Sequence, residues 1–565
     1  MRVNKFVITL TSILVLTGCG GIPTASEVYF GDVISEDSST QFVRVIARPP
    51  SAGMEPEAVI RGFLEACADP SGDYAIARQY LTSDSTTTWN PATGIEIYEA
   101  NSIQISGEQP SLVVTADKQG VISDLGRFQT ADAGAQISRA FKVSKDASDQ
   151  WRIIDLNDGI LLSAGDVDRS FRSFPIYFFN SSFTSLISDS VIVPVNSSGA
   201  ATSLVRSLLD GPTPYLAPVA ATAFPVGTEL SYGSVPVVNG IAQVDLSQEI
   251  LGADEVTRRA LSAQLVWTLS VLPNVSGVRI TVSGQPLALT DVGATQTVSD
   301  WQSLSPLVDS TFSVLNVIRA DKVYSVVGDV ATEQLVAPAN LISASANRDS
   351  SRIAAITSDL KTLLVTNVAT GELEVATQGE VLSRPTWDQV GSIFIADFGQ
   401  GVREITKDGT LRVTPVDVSN LGTTDQVKQV AVAQDGVRVA VVLSDGIQDV
   451  IAVGALFRTD SETRIIGLHR IEQNISQVRE IAWSSPTSLA AIGADGSGGE
   501  MLFDTSLLDG KTKLSSTPPG AQALSVDGSG VIYISVVDGS NQLLYRQTFG
   551  SWAESTTGVG GFFTR

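Results

Sequence analysis

Cys19 is the residue with the plainest chemical assignment. It follows Leu16-Thr17-Gly18, and Arg2 and Lys5 precede an apolar run from Phe6 to Leu16. A basic start, an apolar middle and small residues ahead of the cysteine form a secretory signal. Leu-Thr-Gly-Cys looks like a lipobox, whose thiol becomes a diacylglyceryl thioether and whose cysteine becomes the first mature residue. As a helix the apolar run would rise about 16 Å, against about 30 Å of bilayer hydrocarbon, so it is too short to stay as a span. The reading is a signal peptide over 1–18 and a lipidated N-terminus and tether over 19–41. Gly20-Gly21, Pro23 and the polar stretch Ser35-Glu36-Asp37-Ser38-Ser39-Thr40 suit a flexible tether.

The other chemistry-bearing residues point to structure. Cys67, left without a partner once Cys19 carries lipid, falls on the apolar face of a helix and reads as a buried core residue. His469 is the single histidine, which excludes two-histidine zinc sites and leaves a Ser/His/Asp triad no other base. It stands in Ile465-Ile466-Gly467-Leu468-His469-Arg470, an expected strand, and reads as a strand histidine. Asp349, Asp388, Asp435, Asp445, Asp495 and Asp527 are the candidates for a glycosidase acid pair. They lie mainly in Gly/Ser-rich segments and read as turn residues whose side chains bond nearby amides. Asp495-Gly496-Ser497-Gly498-Gly499-Glu500 lacks the ligand run of a calcium loop. No GxxxxGK[ST] or GxGxxG phosphate loop occurs. The expectation is a non-enzymatic chain with no catalytic residues, no metal and no cofactor.

Composition agrees. The chain carries 60 acidic and 37 basic residues for a net charge of −23, the wrong sign for neutralising nucleic-acid phosphates. Hydrophobic residues make up 43% and charged ones 17%, enough apolar surface for large cores and against a disordered tail. At 565 residues there is room for roughly three or four folding units.

Periodicity divides the mature chain into three bodies. Over 42–180, a strand at Phe42-Val43-Arg44-Val45-Ile46 precedes a helix with Val59, Ile60, Phe63, Leu64 and Cys67 on one face. A second short helix follows over Asp73 to Leu81, and then period-two strands from Ile95 to Ile154, giving an α+β domain. Over 181–300, a helix from Ala201 to Leu209 ends at Asp210-Gly211-Pro212. A hairpin then turns at Asn239-Gly240, a longer helix covers Asp254 to Leu272, and a strand closes at Val278 to Val282, forming an α/β unit. A linker is expected over 301–314. From 315 to 565 helical periodicity is nearly gone. Turn-then-strand copies begin at Asp349, Asp388, Asp435, Ser485 and Asp527, a repeat of about 40 to 50 residues that signals a β-propeller. Five or six blades are expected.

Several segments together carry a resemblance to the LpqB family of actinobacterial lipoproteins. They are Gly21-Ile22-Pro23-Thr24 behind the lipobox, Glu57 to Leu64, and Tyr74 to Leu81. Leu208-Leu209-Asp210-Gly211-Pro212, Phe224-Pro225-Val226-Gly227-Thr228, Val244-Asp245-Leu246-Ser247 and Gln264 to Leu269 are similar to a GerMN domain. The resemblance implies a lipoprotein on the outer face of the cytoplasmic membrane. It also implies work beside an MtrA/MtrB-like two-component system, by binding the extracellular domain of its sensor kinase. A cell-wall glycan binder and an envelope-assembly scaffold are the alternatives. An acid pair facing a propeller channel would favour wall polymer, and an apolar surface patch would favour a protein partner.

Overall fold

The computed structural model describes residues 47–563, apart from 133, 196–198, 307–313, 328–329, 420, 422–424, 460, 472–474, 539–540, 549 and 558. The signal peptide, Cys19, the tether and the strand expected at Phe42 to Ile46 lie outside the described residues.

The first body opens with the helix Pro56–Ala66, which has Pro at its first position and Glu57 in its first turn. Both suit a helix start, where one N–H has no partner to lose and negative charge is favoured. Val59, Ile60, Phe63 and Leu64 are buried, each contributing roughly 1.5–3 kcal/mol of transfer free energy. The ring of Phe63 meets Trp89 edge-on at 5.3 Å. Gly62 has no room for a side chain, because an added Cβ would lie 2.7 Å from the Tyr80 ring. The helix expected over Asp73 to Leu81 is replaced by two short turns, Ser71–Tyr74 and Ala77–Tyr80, because Gly72 and Asp73 take positive φ. This helical layer packs on a seven-stranded sheet in the order Trp151–Leu156, Gln136–Lys145, Ser111–Ser123, Gly94–Tyr98, Ile160–Ser163. Gln104–Glu108 and Phe128–Thr130 pair with the long Ser111–Ser123 strand.

The second body begins earlier than the expected 181. Phe171–Asn180 pairs antiparallel with Leu186–Pro194 over its whole length, so a boundary at 180 would cut a hairpin at its turn. Ile176, Phe178 and Phe179 sit in the core with the helices Ala200–Asp210 and Glu255–Leu269. Asn239 and Gly240 both take positive φ between Val237–Val238 and Ile241–Leu246, as a type I′ turn requires. Ile241–Leu246 runs parallel to Gly277–Val282. The expected linker 301–314 also needs correction at its start. Trp301 lies in the short helix Val298–Leu304 and is 2% exposed, and its carbonyl accepts the Trp267 indole N–H at 3.3 Å.

The third body is built of antiparallel strand quartets. Four are separate sheets, and two are joined into an eight-stranded sheet through a short parallel pairing of Thr410–Val418 with Thr463–Arg470. Each repeat copy read from the sequence leads into the second strand of a quartet: Arg352–Thr357, Ile393–Asp397, Arg438–Ser444, Ser488–Ala494 and Ile532–Asp538. A further quartet joins the two ends of the body, because Val559–Phe563 pairs with Leu315–Arg319. That pairing closes the ring of sheets and removes an open edge. Among the described residues, no helix is long and apolar enough to cross a membrane.

Candidate functional site

The six aspartates singled out in the sequence all fold back onto their turns. Asp349 Oδ1 accepts the Ser351 N–H at 3.0 Å, and Asp445 Oδ1 accepts Ile447 and Gln448 N–H at 2.8 Å each. Asp495 Oδ1 takes Ser497 and Gly499 N–H at 2.9 Å each, and Asp527 Oδ1 takes Ser529 and Val531 N–H at 2.9 and 3.0 Å. These bonds hold Asp349, Asp445 and Asp495 below the usual carboxylate range, led respectively by Ser351 Oγ, Gln448 N–H and Ser497 Oγ.

Asp388 and Asp435 make the same turns and are also buried and ion-paired. Asp388 Oδ1 accepts Val390 and Ser392 N–H at 3.0 and 2.8 Å, while Oδ2 accepts from Arg458, which reaches Glu404 at 3.3 Å. Asp435 Oδ1 accepts Val437 and Arg438 N–H at 2.9 Å each, and Oδ2 binds the Arg438 guanidinium. A third acid, Glu480, takes Arg384 at 2.9 Å on one oxygen and the Leu524 N–H at 2.8 Å on the other.

Asp388, Asp435 and Glu480 line one cavity of about 600 Å³. Its walls come from the first strands of successive quartets, through Ser345, Trp387, Gln429, Trp483 and Ser525. Its roof is the Phe171–Asn180/Leu186–Pro194 hairpin, through Tyr177 and Ser188. The second body therefore caps one end of the propeller's central space. Acid and base catalysis by a carboxyl pair needs groups free to exchange protons with a ligand. Each of these three carboxylates is instead held by an arginine.

Two arginines, Arg438 and Arg127, fasten the bodies to one another. Arg438, 1% exposed, reaches out of the propeller to Ser188 O and to Tyr215 Oη, the latter at 3.2 Å. Arg127, on the first body, donates to Asp189 Oδ2 and Ser190 O at 3.0 Å, Ser207 O at 2.9 Å and Gly211 O at 2.6 Å. Gly211 belongs to the Asp210-Gly211-Pro212 helix stop, so that motif serves as an acceptor for the neighbouring body. Within the second body, Gln264 ties its helix to two other segments, accepting Ala223 N–H at 2.6 Å and donating to Tyr177 O at 3.0 Å. One signal for Arg438 was available: Asp349 and Asp435 both have arginine three residues on, at Arg352 and Arg438.

The remaining candidates sit apart from the cavity's acids. His469 lies on the strand Thr463–Arg470 with its ring 4.6 Å from that of Tyr215 and Nδ1 3.2 Å from Gly467 O. Desolvation lowers its pKa, which favours the neutral ring. Cys67 is a free thiol, fully buried at the end of the first helix, and burial drives its pKa far up. Among the described residues, no group of three or more His, Cys, Asp or Glu is placed to hold a metal.

An α/β region whose second body caps a closed array of four-stranded sheets defines a multidomain propeller protein. Comparison with known proteins gives the family. Residues 49–168 match the model described as lipoprotein LpqB, N-terminal domain, and residues 318–562 match the lipoprotein LpqB beta-propeller domain. Residues 175–288 match a domain described as sporulation and spore germination, which starts within the Phe171–Asn180 strand. Relatives named Lipoprotein LpqB include one from Thermobifida fusca, 26% identical with 90% of each chain covered. One from Cutibacterium acnes is 26% identical with 87% of each covered, and one from Mycobacterium tuberculosis is 26% identical with 78% of each covered. The chain belongs to the lipoprotein LpqB family.

Proposed function

We propose that this lipoprotein is held by lipid on Cys19 at the outer face of the cytoplasmic membrane. There it binds the extracellular domain of a sensor histidine kinase of an MtrA/MtrB-like system and changes the kinase's output without catalysing a reaction. A bound protein alters a two-state kinase only if it binds the two states unequally.

The observation that supports this reading is a set of three exposed apolar side chains on the second body, standing among the exposed acids Glu249, Asp254 and Glu255. Val226 is 100% exposed, Val256 75% and Leu251 68%. Val226 and Leu251 stand on neighbouring segments, since a Cβ added at Gly227 would lie 3.9 Å from the side chain of Glu249 in the short helix Gln248–Gly252 that carries Leu251, and Val256 follows in the next helix. Apolar side chains left exposed on neighbouring segments offer anchors for a protein contact. The carboxylates facing the propeller cavity are committed to arginines, which removes the feature that would favour a wall-polymer hydrolase.

The test is titration of the full-length protein in detergent against the kinase's extracellular domain, with Val226→Asp/Leu251→Asp as the variant. Saturable binding weakened about tenfold or more, at an unchanged unfolding midpoint, is the expected result. Lack of saturable binding, or equal binding by the variant, would overturn the reading.

A further inference from the structure

The propeller's central space holds a guanidinium with part of its donor set unspent. Counting the quartet closed by Val559–Phe563 as the first, Arg384 stands at the entry to the third, just before Thr386–Trp387. Its Nη1 donates to Glu480 Oε1 at 2.9 Å, in Ser476–Ser485 of the fifth quartet, and to Leu524 O, in Ala521–Val526 of the sixth. In a closed ring of six quartets the third and sixth stand opposite, so this side chain spans the middle of the ring. It lines the cavity of about 600 Å³ beneath the Phe171–Asn180/Leu186–Pro194 hairpin, and 23% of the side chain is exposed. Its Nε and Nη2 have no acceptor among the described residues.

Those two nitrogens form the side-on edge of the guanidinium, whose parallel N–H groups match the oxygens of a carboxylate or phosphate. Polar groups turned into enclosed space normally find partners, so a half-spent guanidinium there calls for an acceptor from outside the chain. The surrounding charges set the sign of that acceptor. The lining carboxylates Glu480, Asp388 and Asp435 are already matched by Arg384, Arg458 and Arg438. Arg348 lines the same space and makes no ion pair or hydrogen bond among the described residues. It is the lining charge left over, in a chain whose acids outnumber its bases 60 to 37. Thr184, Arg348 and Gln389 are exposed members of the lining, so the cavity reaches solvent beside that positive charge. Its volume lies within the range of small-molecule sites.

We infer that this cavity binds a small organic anion through a carboxylate or phosphate group, gripped side-on by Arg384 in the middle of the ring, with Arg348 supplying the second positive charge. This site rests on no part of the kinase reading and lies apart from Val226, Leu251 and Val256, which are not in its lining.

The experiment is calorimetric titration of full-length protein in detergent, at constant ionic strength, with succinate, citrate, inorganic phosphate and methyl phosphate, and with glucose as the neutral control. Saturable heat from at least one anion and none from glucose is the expected result, and binding of carboxylates alone or phosphates alone would identify the group that Arg384 takes. Arg384→Lys keeps a cation for Glu480 but lacks the fork, and should weaken the binding about tenfold or more. Arg348→Gln removes a charge that bonds to nothing in the described chain, so it should leave the unfolding midpoint unchanged and weaken binding about threefold. Arg384→Lys decides if its unfolding midpoint is that of the parent, and otherwise Arg348→Gln decides. No saturable heat from any of these anions would overturn the assignment. So would equal binding of glucose, or an affinity that the deciding variant leaves unchanged.

Discussion

Replacing Arg438 by Met should destabilise the protein by about 3–5 kcal/mol, the range for removing one member of a buried ion pair. Burial works against the charge of Arg438, and Tyr215 and Asp435 beside it outweigh that effect and hold the guanidinium charged. Met keeps most of the aliphatic volume, so the loss isolates the polar head. That head binds Asp435, whose side chain is 5% exposed, and it also supplies donors to Ser188 O and Tyr215 Oη across the junction with the second body. Without it, Asp435 is a buried charge beside two acceptors lacking donors. Asp435→Asn in the same chain removes the stranded charge while keeping an oxygen for the Val437 and Arg438 N–H groups. The double variant should recover at least about half of the loss. Chemical unfolding followed by fluorescence measures the cycle. Hydrogen exchange should show earlier opening in Gln426–Val432 and Leu186–Pro194, the strands beside the junction. A loss below about 1 kcal/mol would mean that the three bonds are exchanged for water at little cost and that apolar packing alone holds the two bodies.

The parts of the fold legible in the sequence are those governed by local rules. Asn239-Gly240 specifies its turn because two consecutive positive φ values suit few other residue pairs. The Pro56–Ala66 helix was visible in the spacing of Val59, Ile60, Phe63 and Leu64. The turn aspartates were read correctly as turn formers, since each bonds amides within four residues of itself. The repeat count was harder. Each copy is a turn joining the first two strands of a quartet, but the quartet closed by Val559–Phe563 takes that strand from the far end of the chain and contains no such turn. Five copies therefore accompany six quartets among the described residues. The missed features depend on groups far apart in sequence. Arg438 meets Ser188 across 250 positions, and Trp301 joins a core whose partner Trp267 lies 34 positions earlier. The shared cavity is invisible for the same reason, since its lining comes from the hairpin of the second body and from strands of several quartets far apart in the chain. The boundary expected at 180 lies too late because the change of pattern there falls at a hairpin turn, and Phe171–Asn180 already belongs to the next core.

Cys19→Ala should abolish lipid-dependent attachment to membranes, and among the described residues no helix would replace it. Each buried methylene of an acyl chain contributes about 0.8 kcal/mol, and two chains give lasting attachment where one is marginal. Alanine offers no sulfur for the thioether, so that contribution is lost whole. Among the described residues, no helix can cross a bilayer. The net charge of −23 sets the body against anionic lipid, where basic surface would be needed for attraction. The apolar patch at Val226, Leu251 and Val256 is small and stands on turns and a helix start, without the long basic amphipathic face of an interfacial helix. Detergent phase partition of cells expressing each form gives the measurement, with mass spectrometry of the mature N-terminus. The parent should partition with detergent and carry a diacylglyceryl-modified Cys19. The variant should appear in the aqueous phase or the medium, or accumulate with 1–18 still attached. A Cys19→Ala protein that remains acylated and in the detergent phase would show that another residue bears the lipid. The loss also bears on the kinase reading: a body released into the medium is no longer confined near its partner, so its effective concentration there falls sharply even when its binding surface is intact. Kinase output should then change in the Cys19→Ala strain while the purified body binds the extracellular domain as before.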